Sequence, residues 1–148
     1  MIRILVGPAV IDVAAEMERL ERGGAVATFT GLVRADAVPG KGDVATLDLE
    51  HYPGATEAAL ERLATQAVAR WSLAAATVVH RVGPMRPGER IVFVGAASAH
   101  RAAALEACAF LIDRLKTDAP FWKRETVGGE TRWVEPRASD DAAAGRWG

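Results

Sequence analysis

The sequence predicts a single α+β domain in which helices pack on one side of a largely antiparallel sheet. Short apolar runs of strand length alternate with segments whose apolar residues recur at helical spacing, in the order β-α-β-β-α-β-β-α-β-β. Turns rich in glycine or proline separate several neighbouring strands, and tight turns of this kind join antiparallel strands. We therefore expect residues 1–148 to form one domain, with 138–148 as a flexible C-terminal tail.

The first half of the chain predicts three strands and two helices. The strands are expected at 2–6, 25–33 and 44–51. Asp12 is a favourable cap for the first helix, which the Gly23-Gly24 pair ends. Thr56 is the corresponding cap for the second helix, which runs to about Arg70.

The second half predicts two further pairs of strands. The first pair covers about 76–82 and 90–96 and should be hairpin-like, because the segment 83–88 between them is rich in turn residues. The second pair is a hairpin between 124–127 and 130–134, and Gly128-Gly129 fits its tight turn.

A long helix is expected between these pairs. Ser98 is its predicted cap, it runs to about Lys116, and Pro120 ends it. Its buried stripe is expected to consist of Ala102, Leu105, Ala109, Ile112 and Leu115. Cys108 lies in an apolar part of this helix without basic neighbours, which predicts a buried and unreactive thiol.

The composition excludes several classes of function. A net charge of −1 and a pI near 6.3 provide no overall positive field for nucleic acid, so any basic site must be local. No apolar stretch reaches the ~20 residues that span a bilayer, and Asp12 and Glu16 interrupt any signal-like start, so a cytoplasmic protein is expected. The single cysteine and three dispersed histidines lack metal-ligand spacing, so neither a metal nor a cofactor is expected.

The segment 116–125 is the strongest candidate for a functional site. Lys116 and Lys123 flank Pro120 and the bulky pair Phe121-Trp122, which would hold ammonium groups against apolar walls where charge acts strongly. Such a site binds an anion or moves a proton. The alternative is a solvated basic turn that complements the end of a helix.

His100 and Arg101 are predicted in the first turn of the long helix, where free backbone N–H groups favour an anion such as phosphate. The alternative is a pair of solvated surface residues. Because Lys116 is sixteen residues further along the helix, it should lie ~24 Å from His100. Either the chain has two sites, or His100 and Arg101 complete the lysine site of a second subunit; the second interpretation is preferred and requires a homodimer.

Arg34 is a third candidate, because it follows a predicted strand and precedes the glycine-containing stretch 35–43, which we expect to be a mobile loop. Most arginines in such positions are only solvated. Arg132 and Arg137 are weaker candidates of the same kind. His51 and His80 lie at predicted strand ends, where structural histidines are commoner than catalytic ones.

Taken together, six sequence blocks resemble the large, catalytic subunit of molybdopterin synthase over nearly the whole chain. The block 116–125 is the most specific of them. The blocks are Gly31-Leu-Val-Arg34, Leu49-Glu-His-Tyr-Pro-Gly54, His80-Arg-Val-Gly83, Ser98-Ala-His-Arg101, Lys116-Thr-Asp-Ala-Pro-Phe-Trp-Lys-Arg-Glu125 and Arg132-Trp-Val-Glu135.

The resemblance implies an α/β-hammerhead-type fold and a central homodimer that binds a small ubiquitin-like sulfur carrier at each end, which makes a heterotetramer. The carrier's C-terminal Gly-Gly thiocarboxylate would donate sulfur, in two rounds, to cyclic pyranopterin monophosphate and form the molybdopterin dithiolene. By the same resemblance, Lys116 lies beside the carrier's tail and Lys123 contacts the pterin. Arg34 would grip the phosphate together with His100 and Arg101 of the other subunit.

Two departures from the family and two rival functions remain at this point. The loop 35–43 is poor in the polar residues that often follow this arginine in relatives, and the tail is rich in alanine. The same cations would also serve a binding module that captures a carboxylate or phosphate without chemistry. They would serve, too, an enzyme that forms a Schiff base through Lys116 or Lys123.

Overall fold

The computed structural model describes residues 1–35, 44–127, 129–134, 138–145 and 147. The strands in these ranges are β1 (Ile2–Gly7), β2 (Ala25–Leu32), β3 (Val44–His51), β4 (Ala75–Arg81), β5 (Gly83–Met85), β6 (Arg90–Ser98), β7 (Phe121–Val127) and β8 (Glu130–Val134). The helices are α1 (Val13–Leu20), α2 (Ala55–Trp71), α3 (Arg101–Asp118) and α4 (Ala138–Gly145). The predicted loop 35–43 lies outside the described residues from 36 onward.

The first sheet has the strand order β1-β4-β6-β2. The expected antiparallel pairing of 76–82 with 90–96 is confirmed as β4 and β6, and β2 pairs antiparallel with the other side of β6. β1 pairs parallel with β4. The class α+β is therefore confirmed, with mostly antiparallel pairing.

The second sheet has the order β5-β3-β7-β8, and all of its pairs are antiparallel. The expected hairpin between 124–127 and 130–134 is confirmed as part of β7 and β8. The segment 83–88 was predicted as a turn, which is wrong for its first half, since Gly83–Met85 is β5 and pairs with β3. The physical reason is the burial of Met85 opposite Leu47 in the cluster between the two sheets.

Helices cover both faces of the first sheet, so the expectation of helices on one side is wrong. Residues of α2 and α3 pack with Val78, Val94 and Ala96 on one face. Leu20 of α1 packs with Val79 and Phe93 on the other face. No described helix is long and apolar enough to cross a membrane.

The buried face of α3 differs from the predicted stripe. Leu115 is buried as expected, but Ala102 is exposed and Leu105 is 61% exposed. The buried residues are Ala104, Ala107, Cys108, Phe110, Leu111 and Leu115. The helix lies between the sheet, α2 and α4, so its small residues turn inward and Leu105 is left outside. The prediction of a buried Cys108 is confirmed, and burial raises the pKa of its thiol to about 11.

Two predicted helix caps are wrong. Ser98 is a buried residue at the end of β6 whose hydroxyl donates to the His100 carbonyl, and His100 is the N-cap of α3. Gly54 is the N-cap of α2, whereas Thr56 lies inside its first turn. The Thr56 hydroxyl accepts from the Tyr52 N–H at 3.0 Å and donates to the Pro120 carbonyl at 2.8 Å. Thr56 therefore ties the start of α2 to the segment that leads into β7.

The C-terminal segment, predicted as a flexible tail, contains α4, which packs on α3. The ring of Trp147 lies edge-on to Trp71 and to Phe110, with centroids 5.7 Å away in each case. Its indole Nε1 donates to Asp113 Oδ2 at 2.8 Å. These contacts hold the described part of the tail against the outer side of α2 and α3.

The Gly23-Gly24 pair fixes the start of α3. The Gly24 N–H donates to the Ser98 carbonyl at 2.9 Å, and Gly23 has a positive φ of 73°. A Cβ at Gly24 would lie 2.2 Å from the Ala99 carbonyl oxygen, which is a backbone atom. Only glycine allows this approach, so the turn before β2 sets the position of the segment that ends at His100.

We predict that Gly24→Ala lowers the free energy of unfolding by about 1–3 kcal/mol, because the new methyl group overpacks against immovable backbone. Gly7→Ala is the matched control, since a Cβ at Gly7 meets no atom within 4 Å. Urea denaturation of both variants measures the difference. Equal stability of the two variants would show that the 98–100 segment is not held by this contact.

Candidate functional site

The register of the first sheet sorts the predicted site residues into two groups. Val92 of β6 lies opposite Gly31 of β2 and also opposite His80 of β4. Arg34, which follows β2, is therefore at the same end of the sheet as His80. Ser98 at the other end of β6 lies opposite Ala25, so α3 begins at the far end.

Lys116 lies in the last turn of α3 and is exposed. The nearby carboxylate of Asp118 is bound by other groups, since Arg114 Nε lies 2.9 Å from its Oδ2 and the Thr117 hydroxyl lies 3.1 Å from its Oδ1. Asp118 thus neutralises Arg114, as an i,i+4 pair on the helix surface.

Lys123 lies on β7 directly opposite Leu49 of β3, which is buried between the two sheets. Side chains alternate along a strand, so Lys123 shares this inner face with Phe121, while Trp122 and Arg124 lie on the outer face. Arg124 is paired there, 3.3 Å from Asp48 and 3.6 Å from Glu50. Lys123 and Arg124 are therefore neighbours in the sequence but lie on opposite faces of the sheet.

His80 is a buried histidine of β4 on which the charges of both lysines act. Its imidazole is 6% exposed and stacks on the ring of Phe121, with centroids 4.1 Å apart and an interplanar angle of 27°. The pKa of His80 is lowered to about 4, chiefly by burial and in part by the charges of Lys123 and Lys116, while the hydrogen bond to the Arg81 carbonyl opposes this lowering. A helix and a strand thus each supply a lysine whose charge acts on one uncharged ring.

The tautomer of His80 follows from its hydrogen bond. Nδ1 lies 2.9 Å from the Arg81 carbonyl oxygen, which can only accept. Nδ1 therefore carries the hydrogen, and Nε2 carries the lone pair.

An open cleft of about 480 Å³ lies on the outer side of the second sheet. It is lined by Glu50, His51, Tyr52, Trp122 and Trp133. Tyr52 and Trp122 meet edge to face at 4.3 Å, and Trp133 is 56% exposed. His51 connects this cleft to the lysine group, because it lines the cleft and lies opposite Phe121 in the register of β3 and β7.

Arg34, His100 and Arg101 are all exposed. His100 and Lys116 are confirmed at opposite ends of one continuous helix, so the expected separation of ~24 Å holds within a single chain. Arg34 and His100 are also apart, because β2 runs roughly 26 Å between their two ends of the sheet. One chain therefore brings Arg34, Lys116 and Lys123 to one end and leaves His100 and Arg101 at the other.

The described residues contain no group of three or more His, Cys, Asp or Glu side chains placed to hold a metal ion. Arg132 and Arg137, the weaker candidates, have side chains outside the described part of the chain.

Sequence reasoning missed the place of His80 and of the aromatic cleft. His80 is structural in the sense predicted, since it is buried and hydrogen-bonded, yet the charges of both lysines also act on it. Its only signal in the sequence is that it belongs to one of the six blocks of the resemblance. Its proximity to Phe121 depends on how the two sheets meet, which no local pattern records.

Comparison with known proteins agrees with this architecture. The family model described as "MoaE protein" matches residues 6–118. The molybdopterin synthase catalytic subunit of Yersinia pestis is 53% identical, with 98% of this chain and 97% of the relative covered. That of Pseudomonas aeruginosa is 55% identical over 84% of this chain and 81% of its own length.

Solved structures agree as well. The molybdopterin biosynthesis MoaE protein from Burkholderia ambifaria superposes with a TM-score of 0.84 and 43% identity, over 99% of this chain and 98% of that one. Molybdopterin synthase from Staphylococcus aureus gives a TM-score of 0.82 at 27% identity, over 88% and 96%. The chain therefore belongs to the MoaE family of molybdopterin synthase catalytic subunits and is an enzyme of molybdenum cofactor biosynthesis.

Proposed function

We propose that this subunit transfers sulfur from the C-terminal thiocarboxylate of a small ubiquitin-like carrier to cyclic pyranopterin monophosphate and so forms the molybdopterin dithiolene. It does so in the cytoplasm, as the central homodimer of a heterotetramer. Lys116 and Lys123 are the catalytic residues. Arg34, with His100 and Arg101 of the other subunit, binds the substrate's phosphate.

The observation that carries this proposal is that the charges of Lys116 and Lys123 both act on His80 at one end of the first sheet. The two lysines come from a helix end and from a strand, and both act on the same buried ring. The thiocarboxylate and the phosphorylated substrate are both anions, and each anionic intermediate needs fixed positive charge nearby. A pair of cations beside an uncharged, apolar wall supplies it.

The choice of lysine over arginine at these positions supports chemistry in addition to binding. Of the eighteen lysines and arginines in the chain, three are lysines, at 41, 116 and 123. Arginine keeps its proton in proteins, whereas lysine can give one up. A chain that uses arginine almost everywhere else therefore places a proton-transferring cation twice in this site.

The position of β2 supports the two-fold arrangement. β2 is an edge strand of the first sheet that runs from the His100 end to the Arg34 end. A two-fold contact across β2 sets these strands antiparallel, so His100 and Arg101 of one subunit approach Arg34 of the other. Arg34 lies far from His100 and Arg101 within one chain, and in this arrangement each meets its counterpart in the other subunit.

Exposed apolar side chains on this surface support such a contact. Phe29 and Leu32 of β2 are 41% and 55% exposed, and α3, which packs beside β2, exposes Leu105. Clustered apolar residues on an edge strand are typical of a subunit interface.

The aromatic cleft is the proposed docking surface of the carrier. It opens beside His51 on the second sheet, whereas β2 is an edge strand of the first. Exposed tryptophan and tyrosine side chains are the residue types that dominate binding energy at protein interfaces. The two sheets thus have separate proposed partners: a second subunit at β2 of the first sheet, and a carrier at the cleft of the second. In keeping with this arrangement, a Helicobacter pylori structure of the same fold is a protein-protein complex of subunits 1 and 2 of the molybdopterin-converting factor.

We predict that Lys116→Ala and Lys123→Ala each reduce sulfur transfer at least about 100-fold, because each removes a charge that stabilises the reacting groups. Carrier affinity should change less than about threefold, since most of the docking surface is intact. Product mass under single-turnover conditions measures transfer, and calorimetry measures carrier binding. Arg62→Ala, on the exposed side of α2, is the control and should transfer sulfur normally.

Other outcomes identify the rival functions. If wild type binds the carrier but moves no sulfur, while both lysine variants only weaken binding, the protein is a binding module. If borohydride traps a covalent adduct of a carbonyl substrate on Lys116 or Lys123, the protein uses Schiff-base chemistry.

We further predict that inactive variants complement each other across the two-fold axis. Lys116→Ala and Arg101→Ala homodimers should both be inactive, but a mixed dimer has one site with both residues intact. Random mixing in equal amounts should therefore restore about one quarter of wild-type activity, because half of the dimers are mixed and each has one of two sites. A mixture as inactive as its components would show that Arg101 acts on its own chain's site.

A further inference from the structure

We propose that His80 is a positioning residue of the lysine site: its uncharged ring, stacked on Phe121, fixes the start of β7 and thereby the direction in which the Lys123 ammonium group points. Nothing in the reaction requires His80 to touch the substrate. This role rests on the proposed function, so a turnover assay tests the two together. The placement of Lys123 can be measured without turnover and therefore tests the role of His80 alone.

The stack joins the two sheets at the site. His80 is in β4 of the first sheet, and Phe121 is the first residue of β7 in the second. The His80 ring is itself anchored, because Nδ1 donates to the Arg81 carbonyl at 2.9 Å. Thr56 holds the residue before Phe121 through the Pro120 carbonyl at 2.8 Å. Phe121 is therefore fixed from two sides, by its ring and by its backbone.

The position of Lys123 depends on the position of Phe121. It lies two residues after Phe121 on the same inner face of β7, beside the buried Leu49. A strand transmits a displacement of its first residue over two positions, since the intervening backbone is hydrogen-bonded to β3. Loss of the His80 ring would let Phe121 relax into the vacated space and would turn Lys123 away from Lys116.

The ring must also stay uncharged to do this. The groups whose charges reach it are Lys116 of α3, Lys123 of β7 and His51 of β3, and all of them oppose a further positive charge. A protonated His80 would be a buried cation on which the charges of both lysines act, and it would repel Lys123 from its place. Burial and the surrounding cations hold the pKa of His80 near 4, so the ring is neutral at physiological pH.

Placement can be measured by ¹³C NMR of the reductively methylated protein, because the chain has only the lysines at 41, 116 and 123. Lys→Arg variants assign the resonances. We predict that His80→Ala shifts the Lys123 resonance and that His80→Phe, which keeps a neutral stacking ring, restores it. Val79→Ala is the matched control, since it truncates the adjacent buried residue of β4, which packs on the opposite face of the sheet. An unmoved Lys123 resonance in His80→Ala would overturn the proposal.

Turnover gives a second readout. His80→Ala should reduce kcat at least about tenfold, because small misplacement of a catalytic group is costly, with little change in KM. His80→Phe should stay within about threefold of wild type, and Val79→Ala should keep its kcat although it loses stability. If wild type itself moves no sulfur, the proposed function fails while the NMR result still decides the role of His80. A kcat in His80→Phe as low as in His80→Ala would overturn the role of the ring.

The pH dependence of stability tests the neutral ring. An unfolded histidine binds a proton near pH 6.5, but folded His80 does so only near pH 4. Between these values the unfolded state binds more protons, so His80 makes the wild type lose stability as the pH falls. Thermal denaturation should show that His80→Phe loses less stability than the wild type over the same pH interval. An equal loss in both proteins would show that His80 accepts its proton in the folded state, which contradicts the proposal.

Discussion

The contact between His80 and Phe121 joins the two sheets of the domain, and the arrangement of the lysine site depends on it. Each sheet alone holds part of the site: the first supplies the end at which Arg34 and His80 lie, and the second supplies Lys123. The buried cluster of Val33, Leu47, Leu49, Val82 and Met85 fills the space between the sheets. Around this junction the protein keeps one ring neutral and places its cations at the rim, where an anionic partner can reach them.

The sequence predicted the elements of this fold well and their assembly less well. Helical spacing, glycine turns and Pro120 located the main strands and helices, because these signals are local. It missed β5 and α4, whose existence depends on tertiary burial, as Met85 and Trp147 show. It misplaced the buried face of α3, since the neighbours that decide whether Leu105 or Ala104 turns inward are α2, α4 and the sheet.

The site shows the same division between local and tertiary information. Lys116, Lys123, His100 and Arg101 stand out in the sequence because proline, aromatic residues and a helix start surround them. The ~24 Å helix length between His100 and Lys116 even implied that one chain could not hold them together. The role of His80 could not be predicted, since a histidine at a strand end becomes part of a site only when a ring from another sheet stacks on it.

The most direct test of the central claim follows the sulfur itself. A carrier with a ³⁴S-labelled thiocarboxylate is incubated with the purified wild-type subunit and cyclic pyranopterin monophosphate, and the product is analysed by mass spectrometry. The expected product contains two ³⁴S atoms for each pterin, and two carriers return with ordinary carboxylate ends. A carrier that binds but keeps its label, with no sulfur in the pterin, would contradict the assignment of sulfur transfer to this site.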